Sequence, residues 1–207
     1  PAKTYAELQM QLETFTEDAS TAPLLYHDEK RLQAELEKIH QTHESALTEL
    51  FDKTWSTPFW SDHESKEAML ILESVLVAPN DLAVMVSAAT LNLLRVFDAH
   101  KLNFLLEAYR HEHLQVNQRA IVGILIAIAK HEKRISMYPE LLSRLSLLSE
   151  EEGFRKNLHT IQMQLLITRE TTKIDKKMRE EIFPEMMKNA KQMNNPKFRF
   201  DESEEPE

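Results

Sequence analysis

The feature that most constrains this chain is the near absence of glycine. Its 207 residues include two, Gly123 and Gly153, where average usage would supply roughly 14. Tight β-hairpins need residues at positive φ, which glycine provides at least cost. Phosphate loops, dinucleotide fingerprints and nucleophile elbows are also glycine-built. Composition therefore excludes P-loop enzymes, dinucleotide folds, α/β-hydrolases and most β-sandwiches. What remains is helices joined by short polar loops, so the expected fold class is all-α.

Helical periodicity runs along almost the whole chain. Thr4 with Glu7 reads as a capping box, followed by Tyr5, Leu8, Leu12 and Phe15 at helical spacing. A polar break is expected over 17–23. A long helix over 28–51 then carries a seam of Leu32, Leu36, Ile39, His43, Ala46 and Leu50. The alternating steps of four and three along this stripe predict an N-terminal αα-hairpin. An ordered aromatic connector follows at 52–61, holding Trp55, Pro58, Phe59 and Trp60. Two readings of it stand: the tryptophans plug a junction, or they form an exposed anchor for a partner. The hairpin and connector make a first segment, 1–60.

Six further helical segments are expected at 62–78, 81–97, 99–111, 114–131, 138–148 and 151–170, with Asp62, Asn80, Asp81 and Ser149 as N-cap candidates and Pro139 in a first turn. The second and fourth superpose at a shift of 32: Leu82, Val84, Ala88, Leu91 and Leu93 match Leu114, Val116, Ala120, Gly123 and Leu125. The sixth follows at a shift of 38 through Phe154, Leu158, Ile161 and Met163. A degenerate period in the thirties with two helices per unit predicts an α-solenoid of three pairs over 61–170. The middle pair is expected to be the most buried, and its second helix, through 120–129, is the only one apolar all round. Gly123 is expected to admit a close neighbouring helix.

The stretch 113–125, with Val116, Arg119, Ala120 and aliphatics after a loop, resembles the second helix of a HEAT repeat. Residues 78–89 are similar, with Ser87 where the basic residue would stand, and the third unit has Asn157 there. More specifically, residues 119–134, Tyr138-Pro139-Glu140 and 173–188 resemble a family of long, uncharacterised bacterial proteins that contain tetratricopeptide repeats. The resemblance implies an α-α superhelix of HEAT-like pairs within a larger scaffold protein, and it supplies no reaction. The opening residue, Pro1, also leads us to expect an excised piece or a processed product.

Residues 171–200 are expected to form a further helix containing Met178, Met186, Met187 and Met193, kinked at Pro184. Its Met-rich face either packs inward or docks sequence beyond this chain. The acidic tail, 201–207, is expected to be disordered. Net charge is −9, concentrated as −7 in residues 1–149 and −5 in the tail, while 150–200 carries +3. A nucleic-acid ligand is disfavoured, because phosphate binding needs a basic footprint. The longest apolar run, 120–129, is half a spanning length, so no membrane insertion is expected. The absence of Cys excludes thiolate zinc sites and suits either redox compartment; the cytoplasm is favoured.

Nine histidines invite a search for metal ligands. His-Glu occurs four times, but the second histidine of a zincin helix is missing each time. Glu37 and His40 form one Glu-x-x-His pair, with His43 one turn on, and no second pair exists to complete a di-metal bundle. His43, on the apolar seam, reads as a neutral core histidine or, alternatively, a pH sensor. The expected function is a non-enzymatic protein-interaction or scaffold module with no cofactor. Its partner would be a protein or peptide, a downstream domain, or another copy. The alternatives are a metal-dependent helical-bundle enzyme using Glu37, His40 and His43, or a spacer. Asn92, Arg95, Asn117, Arg119 and Gln162 are the polar residues expected on the binding surface, with the four methionines as a second face. Substitution of Asn92 is accordingly expected to cost within about 0.5 kcal/mol.

Overall fold

Eight helices and no strand make up the residues that the computed structural model describes, 3–177 and 180. They are α1 (Tyr5–Leu25), α2 (Glu29–Ser56), α3 (Asp62–Glu73), α4 (Pro79–Leu93), α5 (Ala99–Tyr109), α6 (Leu114–Ile135), α7 (Pro139–Glu150) and α8 (Glu152–Lys177). The all-α expectation holds. Two compact units divide the chain, 1–155 and 156–207, so the boundary falls inside α8. Met178, Met186, Met187, Met193, Pro184 and the acidic tail lie outside the described residues.

Capping chemistry sets the helix starts. The box of Thr4 and Glu7 forms as read, and a second box, Ser61 with Glu64, opens α3. The cap of α3 is thus Ser61, one residue before the expected Asp62. Helix α4 opens on Pro79 behind an extended Ala78, not on Asn80 or Asp81. A residue preceding proline is pushed out of the helical region, which accounts for Ala78; α3 itself stops earlier than expected, at Glu73, before an extended Ser74. Ser149, a further cap candidate, lies inside α7.

The polar break expected at 17–23 does not form; α1 continues to Leu25. The hydroxyls of Ser20 and Thr21 donate back to the Glu17 carbonyl, so these polar residues stay helical. Pro23 sits in the last turn, where its missing N–H removes only one intrahelical bond. Helix α8 is likewise continuous to Lys177, past the expected end at 170.

The first unit is built in two rows. Helix α1 packs on α3, α3 on α5 and α5 on α7, while α2 packs on α4 and α4 on α6. The rows meet through α1 with α2, α4 with α5, α5 with α6 and α6 with α7. His43 joins three helices at once: it stacks on Phe15 of α1 and its Nε2 lies 2.8 Å from Oδ2 of buried Asp81 on α4.

The core is densest on α4 and α5, where Leu82, Met85, Val86, Ala89, Leu102, Phe104 and Leu105 are buried. Helix α6 is not buried all round: one flank packs on α4 and α5, and Val122 on the other is 40% exposed. Gly123 lies on the packed flank. A β-carbon there would sit 2.3 Å from Thr90 Oγ1 of α4 and 2.9 Å from Leu105 Cδ1 of α5, the close approach expected of it. Near its end α6 departs from helical geometry at His131. There Lys130 donates to the Leu94 carbonyl, and His131 Nε2 lies 2.6 Å from the Leu93 carbonyl. The two basic side chains thereby satisfy carbonyls at the C-terminal end of α4.

Candidate interaction site at the aromatic connector

The connector is shorter than its sequence reading, because α2 runs to Ser56 and takes Trp55 into its last turn. What remains between α2 and α3 is Thr57, Pro58, Phe59, Trp60 and the capping Ser61. The two tryptophans differ in burial. Trp60 is 3% exposed and plugs the junction, edge-on to Tyr5 and Phe104. Its Nε1 donates to Tyr5 Oη at 2.8 Å, and Tyr5 Oη lies 3.2 Å from Thr54 Oγ1. Trp55 is 39% exposed, and the Arg95 guanidinium lies over its ring at 5.6 Å.

Three buried polar side chains from α4 and α5 hold the connector backbone. Asn92 Nδ2 donates to the carbonyls of Trp55 and Thr57, at 2.7 and 3.0 Å. Lys101 Nζ donates to the same Thr57 carbonyl and lies 5.2 Å from the centre of the Trp60 ring. Asp98 caps α5 through the His100 N–H and, with its other oxygen, accepts the Trp60 N–H at 2.9 Å. With its backbone held on the inner side, the connector turns Phe59 outward, 62% exposed. Phe59, Phe97, Arg134, Met137 and Tyr138 line a groove of about 520 Å³. Met137 and Tyr138 continue it into a second stretch, of about 610 Å³, beside Glu140 and Arg144.

Burial pushes the Lys101 amine down to about 8, against the opposing pull of Asp98 and Glu64. Burial also pushes the Tyr5 phenol up to about 12, against its hydrogen bonds to Thr54 and Trp60. These shifts act on stability in opposite senses. Unfolded lysine keeps its proton to about 10.4, so from about pH 8 to about pH 10 the unfolded chain binds more protons and Lys101 makes stability rise with pH. Above about pH 10 the unfolded tyrosine loses a proton that folded Tyr5 keeps, so stability falls. The expected rise is at most about 1.4 kcal/mol per pH unit. Urea midpoints measured across that range should climb in the native chain and stay flat in Lys101→Met; equal slopes in both would contradict this assignment.

The residues expected on a binding surface divide. Asn92 does not belong there: it is 1% exposed, because the carbonyls it serves lie inside the junction. Arg95 and Arg119 are exposed, and Arg119 Nη1 donates to Ser87 Oγ at 2.8 Å. Asn117 is half-buried and donates to the Tyr109 carbonyl. Gln162 is exposed in the second unit. Glu37, His40 and His43 do not converge. Glu37 accepts from Gln41, His40 meets Phe15 edge-on, and His43 meets Asp81. Among the described residues, no three His, Asp or Glu side chains group as metal ligands would.

The sequence reading missed Asp98 and Lys101 as anchors and Phe97, Met137 and Tyr138 as groove walls. One signal was available: Lys101 stands three and four residues before Phe104 and Leu105, on the apolar stripe of α5.

Compared with protein families, curated proteins and solved structures, the chain matches none of them. No helix among the described residues is long and apolar enough to cross a membrane.

Proposed function

We propose that this chain is a non-enzymatic protein-interaction or scaffold module, built as a HEAT-like α-α superhelix within a larger repeat protein. The observation that carries the functional reading is the connector. Buried polar groups fix its backbone from inside, and its Phe59 side chain is left along an exposed groove. Aromatic residues, Met and Arg are the side chains enriched at protein interfaces, and a rigid platform lowers the entropy lost on docking. The repeat reading is supported by register. Ser87 and Arg119, equivalent positions at the shift of 32, bond to each other directly, as neighbouring stacked units would. The row-on-row packing of even and odd helices supports it too.

Site-specific photo-crosslinking tests the function. A benzoylphenylalanine at Phe59 or at Tyr138 is expected to give a discrete protein adduct in source cells, competed by unlabelled chain. The same probe at Gln33, exposed on α2, should give none. No adduct, or the same adducts from all three positions, would contradict an interaction surface here.

A further inference from the structure

We infer that the groove beside Phe59 takes an acidic peptide, one that places an aromatic or leucine side chain between Phe59 and Tyr138 and its carboxylates at Arg134. This rests on the interaction-module reading and names the partner's chemistry. The groove's apolar walls are exposed: Phe59 is 62%, Met137 76% and Tyr138 43% exposed, around a concave floor that includes buried Phe97. A partner side chain entering there would be walled by three aromatic rings and a methionine, the composition of a hot-spot pocket.

The groove's charge is complementary to an acidic peptide. Among the described residues, Arg134 is the only charged one lining the Phe59 stretch. It makes no salt bridge among the described residues, whereas Arg144 in the adjoining stretch pairs with Glu107. The groove thus offers, among the described residues, one unpaired cation, Arg134, in a chain of net charge −9. Glu140 lines only the far stretch, which sets a polarity: the peptide's carboxylates lie at the Arg134 end, away from Glu140. At Arg134, opposite charge on the partner speeds encounter and disfavours basic partners.

Fluorescence anisotropy with labelled synthetic peptides tests this. The probe is a short peptide with one phenylalanine followed by a run of glutamates; its controls carry alanine for the phenylalanine, or lysines for the glutamates. Saturable binding of the first probe alone is expected, weakened about tenfold or more by Arg134→Glu and by Phe59→Ser, and by raised salt. Arg31→Glu, the same charge change at an exposed site on α2, should leave it unaltered. Both Arg134 and Phe59 are exposed, so the variants should fold, and circular dichroism checks that they do. Absence of saturation, equal binding of the lysine or alanine peptide, or equal weakening by Arg31→Glu overturns the inference. So does self-association, seen in sedimentation velocity and abolished by Phe59→Ser, which would make the groove an interface between copies. Crosslinking from Phe59 without peptide binding would sink this inference and leave the interaction module standing.

Discussion

Gly123→Leu is expected to lower the stability of the first unit by about 3 kcal/mol, the upper end of what overpacking costs. Helix propensity alone argues the other way, since removing a mid-helix glycine gains up to about 1 kcal/mol. Sterics decide, because even the β-carbon of alanine would stand 2.3 Å from Thr90 Oγ1. That oxygen cannot retreat freely: it donates to the Val86 carbonyl at 2.9 Å, on a short branched side chain. Leu105 Cδ1, at 2.9 Å, ends a longer side chain and can give. The clash with Thr90 is specific, so Thr90→Ala should partly rescue Gly123→Ala. A double-mutant cycle from urea midpoints should show coupling of about 1 kcal/mol or more. Additive effects would mean that α4 and α6 are not in this contact.

Asn92→Ala is expected to cost about 2–4 kcal/mol, far more than its sequence reading as a surface residue allowed. The last carbonyls of a helix have no partner within it, and Trp55 O belongs to the last turn of α2. Asn92 supplies that partner and also bonds the Thr57 carbonyl. Alanine removes both bonds, leaves the Trp55 carbonyl without its donor, and opens a void. Lys101 still serves Thr57, so the loss should fall mainly at Trp55. Gln118→Ala, exposed on α6, should change the midpoint by no more than about 0.5 kcal/mol. Equal effects of the two substitutions would show the helix faces to be wrong.

The fold class was legible because two independent signals agreed, scarce glycine and sustained helical spacing. Gly123 could be read for the same reason: an unfavourable residue inside a strongly apolar helix asks for a close neighbour. Helix ends were less legible, since they turn on single residues such as Ser61 and the proline after Ala78. The site was legible in part. The aromatic cluster marked the connector, but its two tryptophans look alike in sequence, and only the carbonyls that Asn92 and Lys101 reach decide which one is buried. Those partners stand 35 to 44 residues away along the chain, beyond any periodic signal. Asn92 misled for the same reason: a polar residue between leucines reads as solvent-facing unless its buried acceptor is known. Phe97 falls on the turn before α5, and Met137 and Tyr138 on the turn between α6 and α7; only the packing of α6 and α7 against α5 brings them to one groove.

The account turns on the connector being a fixed platform rather than a flexible linker, and amide hydrogen exchange of residues 57–61 tests that most directly. Trp60 N–H is buried against Asp98 Oδ2 with no helical bond to protect it. We predict that it exchanges about a thousandfold or more slowly than an unstructured amide, in the range of the α4 core, and that Asn92→Ala speeds it selectively. Exchange of the Trp60 amide at unstructured rates while α4 stays protected would contradict the account.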